Sequence, residues 1–291
     1  MTRFTIPMLI AILLSAAAAM SQVTLRDDLG RTVKLAAPAR CIVSLAPSIT
    51  ESLFAIGAAD QICGVTDYCT YPDAAGKKQH VGGMTTPNIE TIVSLHPDLI
   101  VVSMEGNTRQ DFDRLTNLDV PVYVSNPRTF AGIRRSLEQL GALSGHRVEA
   151  ERLVYRLKAR EDSLATLTGG ARERVLLFIS LEPLIAAGGN TFIHDVLTRA
   201  GAENLAATAP GTYPALSREA VLSYDPDALV ITSDLAGDLP NLLKRFPEWN
   251  QLTAVQHGRV YRIDPDLISR PGPRAVDGLQ ILVHLFHSTG K

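Results

Sequence analysis

The sequence predicts an α/β protein of two lobes, and three features carry that expectation. Short apolar runs at residues 40–45, 99–102, 174–179 and 228–232 alternate with helical patterns, the order that builds parallel sheets covered on both faces. IETIVSLHPDLIVVS (residues 89–103) returns as REAVLSYDPDALVITS (residues 218–233). Glu90, Ser94, Pro97, Asp98 and Val101 recur as Glu219, Ser223, Pro226, Asp227 and Val230, each 129 residues further on. Between the copies, residues 146–167 set Ala150, Leu153, Leu157, Leu164 and Leu167 on one helical stripe, with Gly169 and Gly170 beyond as the stop. Such a helix spans roughly 33 Å, the width of a small domain. The expected class is two Rossmann-like lobes with parallel sheets, joined by a single long rigid helix, with a ligand cleft between the lobes.

Residues 1–21 have the pattern of a signal peptide: Arg3 in front, an apolar run over 6–19, and small residues at 17–19 and 21. No cysteine lies there to take a lipid, so export, cleavage and release into the periplasm are expected. The remaining segments are an N-terminal lobe over 22–126, connecting helices over 127–167, and a C-terminal lobe over 168–291. The chain's net charge of −2 becomes −3 without Arg3, and no basic block points to nucleic acid. For the three cysteines two readings stand open. Cys63 and Cys69, six apart around a turn, could pair and leave Cys41 buried, or all three could be reduced structural thiols.

Taken in order, Val23, Leu25, Val33 and Leu35 alternate around Asp28-Leu29-Gly30, which predicts a hairpin. The strand over 40–45 leads to Ser48, a candidate cap for a helix over 49–56 ending at Gly57. A strand over 61–65, a helix capped by Asn88, the strand over 99–102, a helix over 111–117 and a strand over 120–124 complete the first lobe. A helix over 130–143 precedes the long one. The second lobe follows as the strand over 174–179, a Gly-rich turn with its helix, a helix capped by Ser217, strands over 228–232 and 258–263, and a closing helix over 275–287.

No catalytic constellation is present, so no enzyme is expected. The chain has neither GxSxG nor HExxH. Gly188-Gly189-Asn190 lacks the Lys-Ser/Thr of a phosphate loop and reads as a tight turn. His284 and His287 have no evident carboxylate partner, and no metal site is expected. Binding is better supported. Loops at strand ends carry Tyr68, Tyr71, Met84 and Tyr213, with Asp266 and Arg270 in DPDLISRPGPR. Apolar walls with few polar groups suit a large flat ligand with a polar rim. Trp249, the single tryptophan, lies away from these loops and is assigned to the core.

Five segments, APSITESLFAIGAADQICGVTDYCTYP, PNIETIVSLHPDLIVVS, AAGGNTFIHDVL, LSREAVLSYDPDALVITSD and ISRPGPR, together resemble the periplasmic binding proteins of the cobalamin and ferric-siderophore ABC importers. Within that family the likeness is greatest to the cobalamin-binding member. The resemblance implies a monomer that needs no cofactor, holds a cobalamin or related corrinoid between its lobes, and delivers it to an inner-membrane permease with its ATPase. It implies that Tyr68 contacts the corrin, that Met84 and Tyr213 stand where the cobalamin protein has tryptophans, and that Ala186 replaces a pocket phenylalanine. Asp266 and Arg270 match polar contacts, and Glu90 and Glu219 match lobe-surface anchors that engage permease arginines. Two other readings stand beside it: haem, held axially by Tyr68 or Tyr213, or a ferric siderophore. A periplasmic sensor or adhesion protein is the non-transport alternative.

Overall fold

The computed structural model describes residues 22–170, 172–235 and 239–287; the expected signal peptide lies outside the described residues. Strands β1 (Val23–Arg26) and β2 (Thr32–Leu35) form the expected antiparallel hairpin, with Val23 opposite Leu35. Gly30 takes φ 76° in its turn, a backbone region open to glycine.

The first sheet follows. Strand β3 (Ile42–Ser44) runs into helix α1 (Pro47–Ala55), and β4 (Ile62–Val65) precedes a long loop to α2 (Ile89–Ser94). Then come β5 (Leu99–Val102), α3 (Arg109–Thr116) and β6 (Val122–Val124). The four strands lie in the order β4-β3-β5-β6, all parallel. Ser48 does not cap α1. The helix starts one residue earlier with Pro47, whose fixed φ suits a first helical position, and Ala46 at the cap makes no side-chain hydrogen bond.

The connection is a helical hairpin of α4 (Phe130–Ser144) and α5 (Arg147–Ala165), turned at Gly145 with φ 79°. The two helices touch closely. A Cβ on Gly141 would lie 2.5 Å from that of Ala150, nearer than real Cβ atoms come. Ala150, Leu153, Leu157 and Leu164 of α5 are buried as the stripe requires, while Leu167 is exposed beyond the helix end. Glu161 is also buried, answered by Arg134 of α4 and by Arg199 at 3.6 Å.

The second sheet comprises β7 (Glu173–Leu181), β8 (Leu184–Ala186), β9 (Ala202–Asn204), β10 (Ala228–Thr232) and β11 (Val260–Ile263). Its path is β11-β10-β7-β8, with β9 also on β7. Only β8 is antiparallel, a short return strand that the parallel expectation did not include. Around the sheet sit α6 (Phe192–Arg199), α7 (Arg218–Tyr224), α8 (Leu239–Arg245), α9 (Thr253–Gln256), α10 (Pro265–Ile268) and α11 (Ala275–His287). One buried cluster runs from Ile42 and Leu53 through Leu140 and Leu157 to Val175 and Leu177 in the second sheet. Both lobes thus share a core through α4 and α5.

The sequence repeat is a structural one. Asn88 and Ser217 each cap their helix, accepting from the N–H of Thr91 and Ala220. His96 and Asp225, again at matching positions, both adopt left-handed backbone, with φ 49° and 40°. The repeated aspartates then accept from the start of a neighbouring strand: Asp98 from the Arg40 and Cys41 N–H groups at 2.8 and 3.0 Å, Asp227 from the Arg174 N–H at 3.0 Å. Each copy is therefore a capped helix, a tight left-handed turn and a carboxylate that satisfies orphan strand donors.

The cysteine pairing differs from both sequence readings. Cys41 and Cys63 form a disulfide, and Cys69 is free and buried. Parallel pairing sets β3 and β4 side by side, bringing Cys41 and Cys63 within a Cα separation of 5.2 Å. The turn after Thr66 instead directs Cys69 inward, where Thr50 and Thr66 hydroxyls approach its sulfur at 3.1 and 3.2 Å.

Candidate functional site

Loops from the carboxyl ends of both sheets meet in one cleft of about 300 Å³, at the position where open α/β sheets take ligands. The uncapped start of α1 supplies Ala46, Pro47 and Ser48 to its wall, and Tyr68 enters from the loop after β4. Met84, Ser103, Glu105, Gly106 and Asn126 complete the first lobe's side, facing Tyr213, Ser269, Arg270 and Pro271 of the second. Tyr68, Met84, Tyr213 and Arg270 are thus together. Asp266 stands behind the wall, its carboxylate 2.7 Å from the Arg270 guanidinium. Burial pushes the Asp266 carboxyl up, against the pull of Arg270 and Arg274.

The sequence offered no signal for the residue that ties the first lobe's loops. Asn107 donates to the Leu45 carbonyl at 3.1 Å and the Met84 carbonyl at 2.7 Å, and accepts from the Ser103 N–H at 2.8 Å. One amide thereby fixes the ends of β3 and β5 and the Met84 loop relative to each other. Gly106 next to it leaves room for the Met84 side chain, whose Cε fills the space that a Cβ there would need.

A second unforeseen element is ionic and crosses the cleft. Glu51 of α1, only 3% exposed, accepts two hydrogen bonds from Arg274 at 2.8 and 2.7 Å and one from Arg270 at 3.3 Å. The Arg274 guanidinium also lies 3.9 Å over the Tyr71 ring, a cation–π contact. Tyr71 therefore serves as a partner of this network, while Tyr68, 58% exposed, keeps its ring free.

Tyr213 is 39% exposed and points its hydroxyl at Glu105, 3.4 Å away. Burial of the phenol, and then the Glu105 charge, push its pKa up to about 12, so the phenol is neutral at physiological pH. Glu105 is itself paired with Arg128 at 3.7 Å. Ala186 is fully buried in the second lobe's core and is not among the residues lining the cleft, although its N–H donates to the carbonyl of Pro214, the neighbour of Tyr213. Trp249 is buried between Phe246 and Phe178 at 4.4 and 5.6 Å. The Gly188-Gly189 turn presses on backbone, with the carbonyls of Thr212 and Ala207 against the places of the missing Cβ atoms. His284 and His287 bind backbone carbonyls of Gln280 and Ala200 separately. Among the described residues no three acidic, histidine or cysteine side chains gather as metal ligands. Glu90 and Glu219 are exposed, one on each lobe. The Glu219 carboxyl is held below its ordinary value by its own backbone N–H and by the Ser217 hydroxyl.

Comparison with known proteins agrees with this arrangement. The family model described as periplasmic binding protein matches residues 42–267. An ABC transporter substrate-binding lipoprotein of Bacillus subtilis (strain 168) is 31% identical over 269 residues, covering 89% of this chain and 84% of the relative. The periplasmic vitamin B12 binding protein of Vibrio cholerae superposes with a TM-score of 0.79 at 27% identity, covering 87% of this chain and 99% of that one. A periplasmic heme binding protein of Pseudomonas aeruginosa gives 0.78 at 29% identity, covering 87% and 94%. Two lobes about a helical connector and a family match spanning both sheets lead to one conclusion: the chain belongs to the periplasmic binding protein family, the substrate-binding components of ABC importers.

Proposed function

We propose that this protein binds cobalamin or a related corrinoid in the interlobe cleft and delivers it to an ABC permease and its ATPase. The observation that carries the ligand is the make-up of the cleft wall: Tyr68, Met84 and Tyr213 as apolar surfaces, with Arg270 already paired to Glu51 and Asp266. Tyrosine faces and a methionine suit a broad, polarizable ring. A cleft of about 300 Å³ takes a ring edge rather than enclosing a macrocycle, which leaves the periphery partly in solvent.

Haem and ferric siderophores are the competing ligands within the family, and the vitamin B12 and heme relatives keep the comparison close. Two features favour the corrinoid. Among the described residues no histidine lines the cleft, and burial and the Glu105 charge raise the Tyr213 pKa, which disfavours the phenolate that would hold an iron. The arginine that faces the ligand is already held by two carboxylates, so among the described residues of the cleft lining an anionic siderophore meets no unpaired cation. The Cys41–Cys63 disulfide suits an oxidising compartment, and we place the mature protein in the periplasm as a monomer.

In the same reading, Glu90 and Glu219 are the permease-docking carboxylates. They are exposed, equivalent in the repeat and not among the residues lining the cleft. The test of the ligand is calorimetric titration with cyanocobalamin, cobinamide, haem and a ferric siderophore, followed by visible spectra. Saturable corrinoid binding at one site per chain is expected; tight haem or siderophore binding with none for corrinoids would overturn the ligand and leave the family.

A further inference from the structure

The charges around the cleft are balanced across it. Arg270 and Arg274 come from the loop between α10 and α11, and Glu51 from α1 on the opposite lobe. Glu51 binds Arg274 twice and Arg270 once, and Asp266 takes the remaining side of Arg270 at 2.7 Å and lies 3.8 Å from Arg274. Two guanidinium groups thus meet two carboxylates. The other charge in the wall, Glu105, is answered by Arg128. Arg270 still lines the cleft, but with its two terminal nitrogens against Glu51 and Asp266 it brings no net positive charge. A buried charge left without its partner acts strongly at this distance, because little water screens it.

We propose that Glu51 is a specificity-determining residue: by neutralising Arg270 and Arg274 from across the cleft, it restricts the site to ligands that present uncharged amide or other carbonyl groups and rejects carboxylates. This deepens the corrinoid reading and rests on it. Amide carbonyls accept from Arg270 without disturbing the ion pairs. A ligand carboxylate would add a third anion to two cations that are already matched, and it would be repelled by Glu51 and Asp266. Remove Glu51's charge and the balance reverses, leaving two guanidinium groups against Asp266 alone.

The test uses matched probes that differ chiefly in charge. One pair is cyanocobalamin and its monocarboxylic acid, made by hydrolysing one peripheral amide; the other is ferric protoporphyrin IX and its dimethyl ester. The wild-type protein should favour the uncharged member of whichever pair it binds. Glu51→Gln, which keeps size and hydrogen-bonding shape, should move that preference toward the carboxylate by about tenfold, the order a unit charge produces across roughly 12 Å at an effective dielectric of about 20. Asp266→Asn, less buried than Glu51 and safer for folding, should move it the same way by less. Adding Arg274→Gln to Glu51→Gln should return the ratio toward wild type, which lost packing alone would not do. An acid-to-neutral ratio unchanged in both single variants, with both probes still bound, overturns the proposal and leaves the corrinoid reading intact. Binding only of the porphyrin pair refutes the corrinoid reading, yet the same ratio still decides the role of Glu51. Wild-type protein that binds neither pair overturns both.

Discussion

Tyr68 and Tyr213 reach the cleft from opposite lobes with their rings partly open to solvent. Neither supports the core, so truncating them should act on the ligand. Tyr68→Ala and Tyr213→Ala are each expected to weaken corrinoid binding by about 1–3 kcal/mol, the worth of one buried aromatic contact. Calorimetry beside an unchanged thermal melt is the check; equal losses of stability and affinity would assign them to folding instead. The base of the Tyr68 loop holds a titrating group. The His80 ring faces the Asp67 carboxylate at 3.0 Å and the Gly76 carbonyl at 3.2 Å, and two acceptors are both satisfied only by the doubly protonated ring. The Asp67 hydrogen bond accordingly raises the His80 pKa above its ordinary 6.5. A raised folded value means the stabilisation is complete below about 6.5 and is lost as pH rises through the folded pKa. The pair is exposed, so the effect should be small and salt-sensitive. An NMR titration should place the His80 midpoint above 6.5, and Asp67→Asn should lower it; a wild-type midpoint at or below the ordinary value would exclude the clamp.

At the scale of elements, the disulfide joins the residue before β3 to β4 across a sequence separation of 22. Loop-closure entropy for a ring of that size is worth about 3 kcal/mol in the chain-entropy account. Cys41→Ser with Cys63→Ser should therefore lower stability by roughly that amount in denaturant melts, while Cys69→Ser should leave the bridge intact. Finding a Cys63–Cys69 or Cys41–Cys69 peptide by mass mapping would contradict the pairing. Helix α5 carries the other elemental consequence. It is uninterrupted over 19 residues and packed against α4 at Gly141 and Ala150, and its buried face belongs to a core shared by both lobes. A connector of that kind resists hinge bending. Scattering curves with and without ligand should nearly superimpose, and a large fall in radius of gyration on binding would show that the connector bends.

For the whole molecule, the repeat sets one carboxylate in the first turn of an equivalent helix on each lobe, Glu90 in α2 and Glu219 in α7. A local account suffices for either alone, since a first-turn carboxylate favours the helix dipole by about 0.3–1 kcal/mol. In the proposed docking role the two together would present one carboxylate per lobe to a two-fold permease. Glu90→Arg with Glu219→Arg should leave ligand affinity nearly unchanged and abolish transport in reconstituted vesicles. Normal transport, or an equal loss of ligand binding, would leave only the helix-dipole role.

What could be learned from sequence alone was local in physical origin. The β1–β2 hairpin, the bounds of β5, β10 and α11, the Asn88 and Ser217 caps and the stripe of α5 all follow from side-chain periodicity or from hydrogen bonds spanning a few residues. The 129-residue repeat made the two-lobe plan visible because each copy satisfies its own backbone in the same way. Short elements such as β8 and α9 escaped because three or four residues carry too little pattern to read. Ser48 misled because a proline immediately before it starts α1 without a side-chain cap. The tertiary structure decided everything that joins distant positions. Strand pairing, not spacing, brought Cys41 to Cys63. Asn107 looked like any loop asparagine until three loop ends converged on its amide. Glu51 and Arg274 lie 223 residues apart, and nothing in either neighbourhood marks them as partners. Their charges meet only because the shared core closes one lobe on the other, and that closure, rather than any local motif, sets the electrical neutrality of the cleft.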